Sequence, residues 1–138
     1  MPKRERSMKR QPTSQDEIDR LFQLVDRDLE QARVPGLYPD GQFTFVYNAA
    51  LQLCTILIRS HGVRVGTVGR HQETFHEAAG LVPKEVRPLI QHFDRARRKR
   101  NTLLYDRAGT VTEREVEDLF EAVGEFREWV RTAVSGSP

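Results

Sequence analysis

The sequence contains one dense run of cations, Arg95-Ala96-Arg97-Arg98-Lys99-Arg100. Its five positive side chains fan out around a helix, so no single partner face can neutralise all of them. Acidic side chains of a neighbouring helix are one source of counter-charge, and the phosphates of a nucleic acid are the other. Arg95, Arg97, Arg98 and Lys99 are therefore candidate nucleic-acid-binding residues.

Polar residues follow this cationic run. Asn101 and Tyr105 are four residues apart and hence neighbours on one helix edge, with Arg98 one turn before Asn101. Arg100 is five residues before Tyr105 and so points to another face of the helix, but its long side chain can reach the same patch. An arginine fork, an amide and a phenol suit a surface that binds phosphates or nucleotides. The alternative is a polar helix edge on which Tyr105 packs sideways and bonds a neighbour.

The remaining chemistry-bearing residues form no recognisable motif. His71 and His76 diverge on a helix, and His92 at best flanks the Tyr105 patch. Each is expected to be a surface or structural histidine. The lone Cys54 lies in an apolar run and is expected in the core. We expect no metal site and no cofactor.

The first helix is predicted from Ser14-Gln15-Asp16-Glu17, which has the spacing of a capping box. This helix is predicted to end near Val34-Pro35-Gly36. Residues 37–42 contain Pro39 and Asp40-Gly41 and are predicted to be a turn. A second helix, residues 43–61, is apolar on several faces and should be the centre of the fold.

Glycines punctuate residues 62–69 without the pattern of a phosphate-binding loop, so a flexible connector is predicted there. A short helix from Arg70 to Ala79 follows. A fourth helix should run from Pro83 to about Arg107, with an apolar stripe that turns cationic halfway along.

The fifth helix has the strongest start signal, a capping box of Thr112 and Glu115 flanked by the apolar pair Val111 and Val116. No segment alternates with the two-residue period of a strand, so no sheet is predicted. The expected fold class is all-α, an antiparallel bundle of four long helices plus one short helix. The domain should span residues 14–134, with disordered residues 1–13 and 135–138 at the two ends.

The net charge of +2 conceals an uneven distribution. The first ten residues carry five basic side chains and one acidic one. The rest of the chain has 17 basic and 19 acidic residues, which gives it a charge of about −2. The basic tail is either a solvated extension or a contact for a polyanion. No apolar segment follows the early charges and no stretch resembles a membrane span, so a cytoplasmic protein without membrane contact is expected.

With these elements in place, the chain resembles the HEPN family. The string R-N-T-L-L-Y, from Arg100 to Tyr105, looks like the HEPN signature of an arginine, a polar residue, three variable residues and a histidine. The resemblance covers residues 14–134 and includes the helix YNAALQLCTILIRSHG, the glycine connector, the short RHQETFHEAA helix, FDRARRKRNTLLYD and the closing amphipathic helix.

This resemblance implies a homodimer in which two copies of the motif meet, and metal-independent RNA cleavage in some members, often as a toxin paired with an antitoxin or a nucleotidyltransferase. Arg100 would contact phosphate and Asn101 would orient or bind it. Tyr105 stands where the catalytic histidine would be, and a phenol with a pKa near 10 cannot exchange protons at neutral pH as an imidazole does. Nucleic-acid or nucleotide binding with altered or lost ribonuclease activity is therefore expected; the alternative is a non-catalytic dimeric protein-interaction module.

Overall fold

A computed structural model describes residues 8–66, 70–105 and 109–135. Within those ranges the chain forms five α-helices and one two-stranded sheet: β1 (Met8–Arg10), α1 (Gln15–Gln31), α2 (Pro39–Ser60), β2 (Val63–Val65), α3 (Arg70–Ala79), α4 (Arg87–Tyr105) and α5 (Glu113–Val134). The prediction of a mainly helical chain is confirmed. The prediction that it forms no sheet is wrong, because β1 and β2 pair.

Helix α2 lies at the centre of the fold, as its apolar character on several faces predicts. Helices α1, α3, α4 and α5 all contact it, and eleven of its residues are buried. Cys54 is one of them, and burial raises the pKa of its thiol, so it serves as a small apolar core residue. By length and composition α2 also qualifies as a membrane span, a test that buried core helices pass as well.

A chain of aromatic rings crosses the core and sets α3, α4 and α5 around α2. The rings of Tyr47 and Phe75 are 6.0 Å apart between centroids, those of Phe75 and Phe93 are 6.4 Å apart, and those of Phe93 and Phe126 are 5.4 Å apart. Edge-on and tilted rings at these distances attract each other beyond the burial of their area. The contacts fix α3 and α4 next to each other on α2.

Local capping signals locate the starts of α1 and α5. The Thr112 hydroxyl accepts a hydrogen bond from the Glu115 amide, and the Glu115 carboxylate accepts one from the Thr112 amide, which confirms the predicted capping box. At α1 only half of the predicted box forms. Ser14 accepts from the Glu17 amide at 3.2 Å, whereas the Glu17 carboxylate binds Thr13 and Arg59.

Two predicted boundaries differ in the structure. Residues 39–41 form the first turn of α2 and not a separate loop, because the missing N–H of Pro39 has no helical partner at that position anyway. Helix α4 begins at Arg87, since residues 83–86 close a separate turn through a 2.9 Å bond from the Val86 amide to the Pro83 carbonyl. The predicted continuation of this helix to residue 107 lies outside the described residues.

The small sheet joins two segments that were predicted to be irregular. Met8 pairs with Val65 and Arg10 with Val63 in antiparallel register, and the Gln11 amide donates to the Gly62 carbonyl at 2.7 Å. Within the predicted tail, residues 8–10 therefore form a paired strand, and hydrogen bonds hold Gln11 and Pro12, which follow it. Residues 1–7 and 67–69 of the tail and connector, and the end segment from residue 136, lie outside the described residues.

Arg59, near the end of α2, holds this corner of the fold together. Its side chain is buried, yet each of its five N–H groups has an acceptor. The guanidinium donates to both carboxylate oxygens of Glu17 at 3.3 and 2.8 Å. It also donates to the carbonyls of Gln11, Pro12 and Val63 at 2.6 to 3.0 Å. A single side chain thus ties α2 to α1, to β2 and to the segment after β1.

Replacing Arg59 with methionine should destabilise the protein strongly. The change strips three backbone carbonyls and a partly buried carboxylate of their partner, so we expect a loss of about 3 kcal/mol in the free energy of unfolding. Urea denaturation measures it, with Arg114→Met as a control because Arg114 is exposed on α5. A loss below about 1 kcal/mol for Arg59→Met would show that the network is dispensable.

Stability should also fall in acid because of Glu17. Its hydrogen bond with Arg59 is the main reason why the pKa of this carboxyl lies below its ordinary value of 4.5. The carboxylate therefore stabilises the fold above about pH 4.5, and that contribution disappears as the pH falls through the lowered value. Urea midpoints between pH 7 and pH 3 should decline less in Glu17→Gln than in the wild type, and Arg59→Met should flatten the decline similarly. Parallel curves for all three proteins would contradict this role.

Candidate anion-binding cleft

A cleft of about 330 Å³ opens between the first turn of α3 and the second half of α4. We call it the cationic cleft, and its walls are Arg70, His71, Gln72, Arg97 and Asn101. None of these described wall residues is acidic. The cleft also adjoins the N-terminal end of α3, where the helix dipole favours negative charge. The arrangement suits an anion.

Arg97 and Asn101 reach the cleft from one face of α4 because they are four residues apart. The guanidinium Nε of Arg97 donates to the Asp94 carboxylate at 2.9 Å, one turn earlier on the same helix. This bond uses one of the five donors of Arg97 and fixes the plane of its fork. Its other four N–H groups make no hydrogen bond to the residues that the structure describes.

Arg100 lies behind the cleft, where the stripe of α4 becomes cationic. Ile90, Phe93 and Ala96 form the apolar part of that stripe and are buried. At the next position the Arg100 guanidinium carbon is 5.3 Å from the centre of the Tyr47 ring, close enough for a cation–π contact. Its Nε is buried and has no hydrogen-bond partner within the described ranges. The cation at the next position of the stripe thus packs against an aromatic ring.

His71 is held in the cleft by Tyr47. Its Nδ1 and the Tyr47 hydroxyl are 2.9 Å apart, and the tautomer decides which atom donates. Burial, followed by the charges of Arg100, Arg70 and Arg97, lowers the pKa of His71. Burial also raises the pKa of Tyr47 to about 12. Both rings are therefore uncharged at neutral pH, and the imidazole has a fixed orientation among three arginines.

The predicted site residues separate into two groups in the structure. Asn101 is exposed in the cleft with Arg97, and Arg100 lies against Tyr47. The other three cations of the run do not line the cleft: Arg98 lies 3.6 Å from Asp94, Lys99 bonds the Thr110 carbonyl and lies 3.6 Å from Glu115, and Arg95 is exposed beside His92. Tyr105 is the last residue of α4, and its side chain lies outside the described residues.

The expected pairing of the cations with the acidic last helix is found for Lys99, through Glu115 of α5. Arg97 and Arg98 share Asp94 of their own helix instead. The final helix therefore leaves the α3 side of the cationic run open, and that side faces the cleft.

The sequence did not predict that Tyr47, Arg70 and His71 belong to this region. His71 was expected to be structural or on the surface because it stood alone in the sequence. One signal was available, since a tyrosine within the most apolar helix must find a polar partner for its hydroxyl when buried. That signal predicts a partner for Tyr47 but does not identify it.

The comparisons with known proteins assign neither a family nor a function to the chain. No family model, no curated protein and no solved structure matches the chain. Within residues 8–66, 70–105 and 109–135, no three His, Cys, Asp or Glu side chains are grouped so that they could hold a metal ion. The cleft is therefore interpreted from its own residues.

The pKa of His71 should respond to the charge of Arg100. In an NMR titration we expect a value below the ordinary 6.5 for the wild type, and a higher value in Arg100→Met because a nearby positive charge is gone. Arg114→Met removes the same charge from an exposed residue that neither lines the cleft nor shifts the pKa of His71, and it should leave the value unchanged. A His71 that titrates identically in all three proteins would mean that the arginine and the imidazole do not share a site.

Proposed function

We propose that this protein is a HEPN-type domain that binds the phosphate groups of RNA in the cationic cleft. The observation that carries the proposal is the cleft wall itself, in which two arginines, two amides and a histidine converge from two helices without an acidic residue among them. Arginine forks match phosphate oxygens and Asn101 adds an adaptable hydrogen-bonding group.

The charge distribution supports a specific site over general basicity. Beyond the first ten residues the chain carries more acidic than basic side chains, so it does not attract polyanions as a whole. Asp94 and Glu115 balance part of the cationic run on α4. Arg70 and the free donors of Arg97 remain on the cleft side, next to Arg100. Bound phosphates would supply the missing counter-charge.

The HEPN assignment rests on sequence and helix order. The R-N-T-L-L-Y string lies at the end of α4, and an amphipathic helix follows it. We propose on this basis that the helices form the antiparallel bundle of that family and that the protein acts as a homodimer.

We propose binding without efficient cleavage. A phenol with a pKa near 10 at position 105 is a poor substitute for an imidazole at neutral pH. His71 contributes an uncharged imidazole to the cleft, but it belongs to α3 and already bonds Tyr47. The protein should therefore retain an RNA-binding surface while ribonuclease activity is weak or lost.

RNA binding should depend on the cleft arginines. We expect a labelled single-stranded RNA to bind the wild type in chelator, with an affinity that falls as salt rises. Arg97→Ala and Arg70→Ala should each weaken binding roughly tenfold, because each removes charge-assisted bonds to phosphate. Each should also reduce the slope of log affinity against log salt by about 0.7. Fluorescence anisotropy across a salt series measures both quantities.

Arg114→Ala is the matched control, since it removes one arginine from the exposed face of α5. Equal affinities and slopes for the Arg97, Arg70 and Arg114 variants would show that RNA binds elsewhere. Absence of binding by the wild type, together with a dimer that captures a protein partner, would favour the interaction-module alternative. Rapid RNA cleavage in chelator would contradict the proposal of binding without efficient catalysis.

A further inference from the structure

One wall residue of the cationic cleft can change its charge near neutral pH. An arginine keeps its charge in any protein environment, and the amides of Gln72 and Asn101 carry none. His71 differs from them, because histidine is the side chain whose ordinary pKa falls between pH 5 and pH 8. Among the described wall residues, only His71 can therefore alter the charge of the cleft over this range.

The Tyr47 hydroxyl can bond His71 in either charge state. It lies 2.9 Å from Nδ1 and can donate to the bare nitrogen of a neutral ring or accept from the N–H of a charged one. The hydroxyl itself stays protonated, because burial raises the pKa of Tyr47 to about 12. Protonation of His71 therefore keeps the bond between the two rings and adds a positive charge to the cleft wall.

The charges around His71 keep its ring neutral in the free protein. Burial is the largest cause of its lowered pKa, followed by the charges of three arginines from α3 and α4: Arg100, Arg70 and Arg97. Asp94, the carboxylate nearest to this group on α4, already pairs with Arg97. The charges that act on the pKa of His71 are thus all positive.

The other side of His71 lines a second space, of about 330 Å³, between α1, α2, β2 and α3. The charged residues in the described wall of that space are Glu17, Arg59, Arg64 and Arg70. Glu17 is the one carboxylate among these wall residues, and it accepts hydrogen bonds from Arg59. Neither side of His71 therefore offers it a free negative charge from these walls.

We propose that a phosphate bound in the cationic cleft causes His71 to take up a proton, so that the cleft binds RNA more tightly as the pH falls. This inference rests on the proposed function, because it takes phosphate binding beside Arg97 as given and adds its regulation by pH. The bound anion supplies the negative charge that the surroundings of His71 lack, and it offsets the repulsion from the arginines. Linkage requires the reverse effect, since a group that is more basic in the complex strengthens the complex when it is protonated.

Anisotropy titrations with a 5′-hydroxyl oligouridine test the inference. This probe keeps its charge from pH 8 to pH 5, because neither phosphodiesters nor uracil titrate in that range, so a change in affinity reports on the protein. At constant ionic strength, we expect the affinity of the wild type to rise about tenfold from pH 8 to pH 5, the usual effect of one opposite charge beside a titrating group. The rise should begin as the pH falls through the pKa of His71 in the complex and level off below that of the free protein. An affinity that changes less than twofold would overturn the inference.

His71→Gln separates this effect from other titrations. Glutamine can still bond the Tyr47 hydroxyl but carries no charge, so the ratio of affinities at pH 5 and pH 8 should fall toward one. His76→Gln is the matched control and should keep the wild-type ratio, since His76 is the other histidine of α3 and lies outside the cleft wall. The same pH dependence in all three proteins would assign the effect to another group and would also overturn the inference.

An NMR titration of the wild type provides a second test if His71→Gln does not fold. The pKa of His71 should be higher with a saturating concentration of oligouridine than without it, and an unchanged value contradicts the inference. If RNA binding requires Arg97 but does not depend on pH, only the proton uptake by His71 fails. If the wild type binds no RNA at any pH, the proposed function fails as well.

Discussion

A guanidinium group keeps its charge in any protein environment and carries five hydrogen-bond donors, so burying the whole group is costly unless acceptors meet those donors. Arg59 has such a set, supplied by the Glu17 carboxylate and by three backbone carbonyls. These acceptors come from segments far apart in the chain. The need to satisfy one side chain thus places the end of α2, the start of α1 and the small sheet in a common corner.

The position of the cationic cleft also depends on that corner. Arg59 donates to the Val63 carbonyl of β2, and β2 precedes α3 in the chain. The first two residues of α3, Arg70 and His71, line the cleft. The network around Arg59 is therefore structural, while the cleft-lining groups on α3 and α4 depend on the packing of these helices for their position.

The cations of the run on α4 have different surroundings on two sides of the helix. Lys99 faces α5 and pairs with Glu115, which adds to helix packing. Arg97 and Asn101 face α3 and line the cleft, while Arg100 covers the Tyr47 ring. Mutual repulsion in such a run is offset only in part by Asp94. The residual charge is the physical reason why we propose an anion site on this side of α4.

The sequence alone determined the features that arise within a few residues. The Thr112–Glu115 capping box, the amphipathic character of α5 and the central position of α2 were all predicted, because helix caps and apolar periodicity are local properties. Tertiary structure decided the rest. A three-residue strand is too short to show a two-residue period in the sequence. The Glu17 carboxylate binds Arg59 and not the start of its own helix. His71 lies near Arg97 because α3 packs beside α4. Contacts between residues so distant along the chain depend on how the helices pack, and a single sequence gives no local trace of them.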